Sequence, residues 1–310
     1  MSTWTRTGPV VVEVDGTAEG LRIVDYACLE AMRSGAELVL VTPYQAHTSF
    51  SPMTPSYRPK SPADLADAVA RAAVAHLRHR YGYALQVVAE TEEGSRAKVL
   101  RHAARHARML VVGRTRARGP HRLLAAQSNL HLAARLGCPV VVVPETWKPS
   151  ALDRNVAVGI DGTPLSNEAL EFAFRAAADR EGDLVVVHAG LPADHAGNDE
   201  DVDHSWIHRA DQTLAEALAV WSNEFPEVRV TRFLSSRPAA AALVRESQHV
   251  GLVVVGSHAG PLPSDPVARR SIAAMTCPVA IVPHALTAQE LELRRLVTAA
   301  RRGEIVVPTY

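Results

Sequence analysis

Two glycines lie where a bound anion would need bare backbone. Gly113 ends the apolar run 110–112, Gly256 ends the apolar run 252–255, and each is followed by a loop, a helix and a second apolar run. This order is typical of a buried parallel strand–helix–strand unit. Because open α/β sheets bind ligands at the carboxyl ends of their strands, the loops after these glycines are the predicted binding sites.

The first of these loops lies in a strongly basic segment. No acid occurs between Glu93 and Glu145. The segment carries ten basic residues: Arg96, Lys98, Arg101, Arg105, Arg108, Arg114, Arg116, Arg118, Arg122 and Arg135. Planar guanidinium groups bind phosphate or carboxylate through paired hydrogen bonds, so the four arginines at positions 114–122 are candidates to bind an anion. The alternative is a solvated charged face, above all for the helix arginines at positions 101, 105 and 108.

In each half of the chain, one aspartate follows the first predicted strand. Asp15 and Asp161 both follow an apolar run and precede a Gly-Thr pair. At the carboxyl edge of a sheet such a carboxylate could bind ribose hydroxyls or orient a nucleotide. The alternative is an Asx-turn or a helix cap, which aspartate readily forms. The residues alone leave both interpretations open.

Histidine pairs have the spacing of a metal site but no third ligand. His204 and His208 stand one helical turn apart, just after the acidic stretch 199–203. Because spacing fixes no third ligand, we interpret this segment as a polar loop and helix start and predict no metal. His102 and His106 lie among arginines that repel a cation, and we interpret them as surface residues. The chain shows no nucleophile–base–acid arrangement either, so the sequence does not indicate an enzyme.

Composition excludes several classes of function. The 310 residues include 33 Lys plus Arg and 33 Asp plus Glu, so net charge favours neither nucleic acid nor a membrane surface. The chain shows no signal-peptide pattern and no apolar stretch near the roughly 18 residues of a membrane span. We therefore expect a cytoplasmic protein without nucleic-acid or membrane partners. Cys28, Cys138 and Cys277 lack metal or redox spacing and are predicted to be small buried fillers.

The elements that must position these residues alternate between strand and helix. The first half shows strand patterns near residues 10–14, 38–41, 85–88, 110–113 and 140–143. Thr17 is a predicted N-cap, and Ser61 with Pro62 and Asp64 predicts a helix that runs to about Tyr81. Residues 42–59 are expected to be loop and residues 97–107 helix.

The whole pattern then occurs a second time. Residues 156–163 match residues 10–17 at an offset of 146, which falls to 139 at Cys277 against Cys138. A period this long indicates a duplicated domain. We expect domains at 1–147 and 148–284, a linker at 145–154, and a helix–strand tail at 285–310. The tail has an apolar stripe and is a candidate contact for a protein partner or for a second copy of the chain.

The two halves resemble the universal stress protein family over residues 10–144 and 156–283. The resemblance is carried by Asp-Gly-Thr after the first strand, Val-Val-Gly at the end of the fourth and Cys-Pro-Val before the fifth, in this order and twice. It implies an α/β fold of two tandem Rossmann-like domains, each with a five-stranded parallel sheet. Members commonly dimerise through the fifth strands, so we expect residues 140–143 and 279–282 to pair within this chain as a pseudo-dimer. In the nucleotide-binding branch the resemblance implies ATP held by the first-strand Asp and a G-x2-G-x9-G-[S/T] loop.

The loops depart from that family pattern. In the first half, Arg116 replaces the second glycine, and Ala126 and Gln127 replace the third glycine and the hydroxyl. In the second half, Gly260 comes one residue late and the loop is four residues shorter, with Asp265 and Pro266 where glycine and hydroxyl should fall. The candidate nucleotide-binding residues are therefore Asp15, Gly113, Arg114, Arg116, Arg118, Arg122, Gln127, Ser128, Asp161, Gly256 and Gly260.

Three hypotheses follow for the function of a stress-response protein of this kind. In the first, the N-terminal half binds ATP, another adenine nucleotide or another anionic metabolite through Asp15 and the loop arginines. In the second, both loops are degenerate and the protein is an interaction scaffold. A slow nucleotide hydrolase is the least favoured, because no base that would activate water can be identified.

Overall fold

The computed structural model describes residues 7–46, 61–114, 136–161, 166–189, 204–235, 237–258 and 274–284. The strands in this part of the chain are β1 (Val10–Glu13), β2 (Leu38–Tyr44), β3 (Val87–Glu93), β4 (Met109–Gly113), β5 (Val140–Val143), β6 (Val156–Ile160), β7 (Leu184–Ala189), β8 (Val230–Ser235), β9 (Leu252–His258) and β10 (Val279–His284). The α-helices are α1 (Ala18–Arg33), α2 (Pro62–Tyr81), α3 (Arg96–Ala103), α4 (Asn167–Ala178), α5 (His204–Glu224) and α6 (Ala239–Glu246). Short 3₁₀ helices cover Ala104–His106 and Ala151–Arg154.

The strands form one ten-stranded sheet in the order β3-β2-β1-β4-β5-β10-β9-β6-β7-β8. Within each half all neighbouring strands are parallel. Valine dominates the inner strands, which are buried on both faces, as expected for parallel sheets. The predicted α/β fold with two five-stranded parallel units is confirmed.

The two halves meet through β5 and β10, which pair antiparallel. Val141 lies opposite Ala280, and Val142 lies opposite Val279. Because the paired residues of both strands are apolar, each strand would expose an apolar edge if its half stood alone. The predicted internal pairing of the two halves is confirmed.

Helix starts follow their local sequence signals. The Gly20 N–H donates to Thr17 Oγ1 over 2.9 Å, so Thr17 is the N-cap of α1 as predicted. At α2, the Asp64 N–H donates to Ser61 Oγ while the Ser61 N–H donates to the Asp64 carboxylate, both over 3.1 Å. These reciprocal bonds form a capping box, and they satisfy N–H groups that a helix start leaves open.

In the first half, the boundaries of β2 and β3 differ most from the predictions. β2 continues through Tyr44, inside the stretch predicted to be loop, and β3 covers Val87–Glu93 rather than 85–88. The added residues pair with each other, with Thr42 opposite Thr91 and Tyr44 opposite Glu93. β3 is the outermost strand, so polar residues are tolerated there and apolar pattern underestimates its length.

The predicted linker at 145–154 is packed against the domains rather than being a bare connection. Trp147 is 5% exposed, and its ring meets Tyr26 edge-on with the ring centroids 5.1 Å apart. Asp153 is buried and accepts the Ser150 N–H over 3.0 Å at the start of the second 3₁₀ helix. Since this segment has no apolar periodicity, its sequence did not indicate these contacts.

The C-terminal tail at 285–310 lies outside the described residues, so its predicted helix and strand stay predictions. No helix in the described part of the chain has the length and apolar character to cross a membrane. The three cysteines are all buried and free, as predicted.

Candidate functional site

A crevice is expected where the strand order of each half reverses. From β1 the chain builds β2 and β3 on one side, then returns to place β4 and β5 on the other. The loops after β1 and β4 therefore diverge at the carboxyl edge, which is where open α/β sheets bind ligands. β6 and β9 occupy the same positions in the second half. The predicted residues Asp15, Gly113 and Asp161 lie at the ends of β1, β4 and β6, whereas Gly256 is paired with Val282 two residues before the end of β9.

Asp15 is exposed and folds over the start of α1. The backbone N–H and the hydroxyl of Thr17 both donate to Asp15 Oδ1, over 2.9 Å and 2.8 Å. Between them, Gly16 has φ +75°, a conformation that favours glycine. These bonds form the Asx-turn that was the alternative to nucleotide binding. The carboxylate keeps its place at the switch point, so its role toward a ligand stays a prediction.

Gly113 has a packing reason of its own. A Cβ at this position would overlap Ile23 Cδ1, so α1 packs closely against the end of β4. Its φ lies outside the left-handed region. A phosphate cradle uses glycine for bare N–H groups, often at positive φ. The role of Gly113 toward a phosphate stays a prediction.

Arg114 links the first site to the second half. Its Nη1 donates to the Met275 carbonyl over 2.8 Å, and its backbone N–H donates to the Val143 carbonyl over 2.9 Å. The guanidinium therefore has a structural partner across the chain. An anion at the switch point would share this group with the Met275 carbonyl or compete for it.

Arg96 offsets an acid at the same edge of the sheet. Its Nε and Nη2 donate to the two carboxylate oxygens of Glu13 at 2.5 Å and 2.6 Å. Glu13 ends β1, two residues before Asp15, so its charge would otherwise oppose an arriving anion. Paired contacts of this kind are among the stronger side-chain hydrogen bonds.

The alternative prediction of a solvated arginine face is correct for two residues and wrong for the third. Arg101 and Arg105 are exposed. Arg108 is buried at 8% exposure, and its Nη2 donates to Asp179 in the second half over 3.2 Å. Arg108 directly precedes β4, and its side chain reaches the second half. Helical periodicity alone does not show that this side chain is buried.

The second switch point is built differently. The Ser166 hydroxyl donates to Asp161 Oδ1 over 2.8 Å, where Asp15 instead accepts from Thr17. At the end of β10, which β9 separates from β6, His284 Nδ1 lies 2.6 Å from Glu168 Oε2, and both side chains are largely buried. The sequence patterns did not single out this pair. Its only signal was a histidine directly after the apolar run of the last strand.

A buried aspartate on α1 was also missed. Asp25 is 4% exposed and lies 2.8 Å from His76 Nε2 and 3.3 Å from Arg80 Nη1, both on α2. Burial, with Asp25 next in effect, raises the pKa of the adjacent Tyr81 to about 12. A lone acid at an apolar position of α1 is the signal that could have identified this contact between α1 and α2.

Several predicted site residues lie outside the described part of the chain, namely Arg116, Arg118, Arg122, Gln127, Ser128 and Gly260. His204 and His208 are in the first turns of α5, where the side chains are outside the description. Among the described residues no group of three His, Cys, Asp or Glu side chains could hold a metal ion.

The fold and the two switch points define a class of protein: a tandem pair of doubly wound α/β domains joined through their fifth strands. The sequence model of the universal stress protein family matches residues 7–144 and 154–283. The chain belongs to the universal stress protein family.

Similar proteins include several mycobacterial members of this family. A universal stress protein of Mycolicibacterium smegmatis is 33% identical over 180 residues, which are 57% of this chain and 60% of that protein. Universal stress protein Rv2623 of Mycobacterium tuberculosis is 37% identical over 145 residues, 45% of this chain and 48% of that protein. The chain thus matches about half to three fifths of the length of these relatives.

A solved structure of this family has the same fold. A universal stress protein from Archaeoglobus fulgidus matches 91% of this chain and 98% of its own, with 14% identity and a TM-score of 0.64. A universal stress protein solved in complex with cAMP matches 45% of this chain, with 23% identity and a TM-score of 0.35. The cAMP complex is a property of that protein.

Proposed function

We propose that the N-terminal half binds an adenine nucleotide such as ATP, or another anionic metabolite, and that the protein acts as a ligand-responsive stress protein. The observation that supports this is that Asp15 and Arg114 follow the ends of the neighbouring strands β1 and β4, at the carboxyl edge of the sheet. An ionised carboxylate there can accept ribose hydroxyls, and a guanidinium can donate to phosphate.

The electrostatics of the first half support an anion. Arg96 offsets the charge of Glu13, so Asp15 is the acid that remains at the end of β1. The positive end of the α1 dipole points toward the same edge, because α1 begins directly after this turn. Arg116, Arg118 and Arg122 follow in sequence and add three cations to the loop after β4.

The second half offers less to an anion. Its loop is four residues shorter and carries Asp265 and Pro266, which add a negative charge and remove an N–H donor. We therefore propose one anionic ligand per chain, bound in the first half.

Calorimetric titration of the full chain with ATP, ADP and AMP tests the proposal. Asp15→Asn keeps an oxygen for the Thr17 N–H but removes the charge that would hold ribose hydroxyls, so affinity should fall about tenfold or more. Arg116→Glu should abolish binding, and higher salt should weaken it. Asp161→Asn is the matched control and should leave affinity unchanged. Two equivalent sites, or loss of binding in Asp161→Asn, would contradict the proposal.

An interaction scaffold is the second candidate, and two contacts favour it. Asp15 is bonded to Thr17, and Arg114 is bonded to the Met275 carbonyl, so both described site residues already have structural partners. If none of the three nucleotides binds to the native chain in the titration, the scaffold becomes the preferred function.

A further inference from the structure

Five charged or polar side chains meet between the two halves, on the face of the sheet that carries α1 and α4. Arg180 Nη2 donates to Glu30 Oε2 over 2.6 Å and to the Tyr26 hydroxyl over 3.3 Å. Arg108 Nη2 donates to Asp179 Oδ2 over 3.2 Å. We call these five residues the seam cluster. The first half supplies the acid of one ion pair, Glu30, and the base of the other, Arg108.

Burial makes the pairing of these charges essential. The side chains of Arg180 and Glu30 are 2% and 3% exposed. Burial lowers the pKa of Arg180, but Glu30 and Tyr26 raise it by more, so the net shift is upward and the guanidinium stays charged. Nη1 of each arginine donates to a carbonyl of its own half, Arg108 to Ser34 over 3.3 Å and Arg180 to Ala176 over 2.9 Å. The carboxylate that pairs with each guanidinium comes from the other half. A buried charge that loses its partner is strongly destabilising.

The halves are related by an approximate two-fold axis at the β5–β10 pair. Val141 pairs with Ala280, and Ala280 is the residue of the second half that corresponds to Val141 at the offset of 139. The flanking pairs are crossed, since Val142 pairs with Val279, the counterpart of Val140. A pair of two first halves or two second halves would therefore place the same positions opposite each other.

Helix positions correspond at the offset of 146. The turn that ends α1 has the bond from the Ala36 N–H to the Ala31 carbonyl, 2.9 Å long. The turn that ends α4 has the corresponding bond from the Gly182 N–H to the Ala177 carbonyl, 3.0 Å long. This equivalence identifies the counterparts of the helix and turn residues in the seam cluster. Arg108 directly precedes β4, and β4 and β9 correspond at an offset of 143, since Met109 pairs with Val10 and Leu252 pairs with Val156.

The charged residues of the seam cluster correspond to residues of different charge in the other half. Counterpart positions in the first and second halves hold Glu30 and Ala176, Ser34 and Arg180, Arg33 and Asp179, and Arg108 and Gly251. Gly251 has no room for a side chain, because a Cβ there would overlap the backbone of Asp153. The charges of the cluster are therefore not repeated by the two-fold axis.

We infer that the seam cluster makes the pairing surface of the first half specific for the second half of the same chain and unfavourable for a like half. In a pair of first halves, Glu30 would keep its 2.8 Å bond to Arg33 of its own half but face Ser34 of the other, and Arg108 would face Arg33 instead of an acid, twice over. In a pair of second halves, Arg180 would face Ala176, again twice. Each like pair buries uncompensated charge, whereas the apolar strands β5 and β10 alone would accept either partner.

Grafts in the full-length chain test this inference. Ala176→Glu with Arg180→Ser gives the second half the residues of the first, and Glu30→Ala with Ser34→Arg does the reverse. Each graft should raise the hydrogen-exchange rates of the β5 and β10 amides at least tenfold, because it breaks the Glu30–Arg180 ion pair and buries a second charge of the same sign without a partner in the other half. All four substitutions together place an arginine at position 34 opposite a glutamate at position 176 and should restore most of the native protection.

The decisive comparison is between the exchange rates of the two separate grafts and those of the variant with all four substitutions. If the combined variant exchanges as fast as the product of the two separate effects predicts, the cluster does not act as a complementary pair and the inference is wrong. Unchanged exchange in either single graft would overturn it as well.

A milder pair of variants covers the case in which a graft does not fold. Ser34 is only partly buried and lines the same small cavity as Ala176. Ser34→Arg alone adds an unpaired charge and should loosen β5 and β10, while Ser34→Arg with Ala176→Glu should return their exchange to near the native rate. If the β5 and β10 amides of the double variant exchange as fast as those of Ser34→Arg, or faster, the inference is wrong.

Discussion

At the scale of single residues, the cysteines show how position decides chemistry. Cys138 and Cys277 are counterparts in the two halves, each directly before the proline that leads into the last strand. Burial raises the pKa of each thiol from 9.0 to about 12, and that of Cys28 to about 11. Because a thiolate is the reactive form, these thiols are inert in the folded protein. They fill space, as their sequence context indicated.

The buried thiols predict a loss of stability at alkaline pH. A pKa that is higher in the folded state stabilises fully below the unfolded value near 9, and this contribution is lost as pH rises toward about 12. Each such thiol should cost about 1.4 kcal/mol of unfolding free energy per pH unit in this window. Cys138→Ala should therefore flatten the fall measured by urea denaturation between about pH 9.5 and 11. A slope equal to that of the native chain would contradict the prediction.

At the scale of elements, α1 and α4 end in the same left-handed turn with different residues. Gly35 follows α1 with φ +59°, and its counterpart Glu181 follows α4 with φ +50°. In the second half the glycine comes one position later, because a Cβ at Gly182 would overlap the Arg154 carbonyl oxygen. Close packing against the linker thus fixes Gly182 and leaves an L-residue in the left-handed conformation.

Glu181→Gly should stabilise the protein. Relief of the left-handed conformation is worth about 1–2 kcal/mol, and the greater freedom of glycine in the unfolded chain offsets about 0.4–1 kcal/mol of it. We expect a net gain of about 0.5–1 kcal/mol in unfolding free energy, measured by urea denaturation. Gly35→Ala is the control and should shift stability in the opposite direction. A lower stability for Glu181→Gly would show that its side chain makes a compensating contact.

At the scale of the molecule, the sheet is apolar inside and polar at its rims. β5 and β10 are buried along their whole length at the centre. The outer strands β3 and β8 carry exposed polar residues such as Glu90 and Arg232. Charged edges discourage pairing with other sheets, so the chain satisfies its apolar edges internally and leaves its polar edges to solvent.

Val142→Lys should separate the two halves. Val142 is 2% exposed and lies opposite Val279, so a lysine there would bury a charge between the halves. Small-angle scattering should show a larger radius of gyration. Thr231→Lys, on the exposed outer strand β8, is the control and should leave the envelope compact. A compact envelope for Val142→Lys would mean that the β5–β10 pair does not hold the halves together.

Much of the fold could be predicted from sequence because its signals are local. Strand–helix alternation, the caps at Thr17 and Ser61, the buried cysteines and the repeat all depend on neighbouring residues or on apolar pattern. The β5–β10 pair was also predictable, since an all-apolar strand at the end of a sheet needs a partner. Of the candidate site, the sequence located Asp15 and Gly113 at a switch point, because both lie where a strand ends.

Only the tertiary structure decided which charges are buried and what they bind. Arg108 lies three positions after the exposed Arg105 in the same basic segment, yet it lies between the halves and pairs with Asp179. Glu30 and Arg180 are 150 positions apart, and no local spacing relates them. Their contact depends on how two helices meet across a two-fold axis. Local pattern determines which residues form an element, whereas the partner of a buried charge depends on the packing of distant elements.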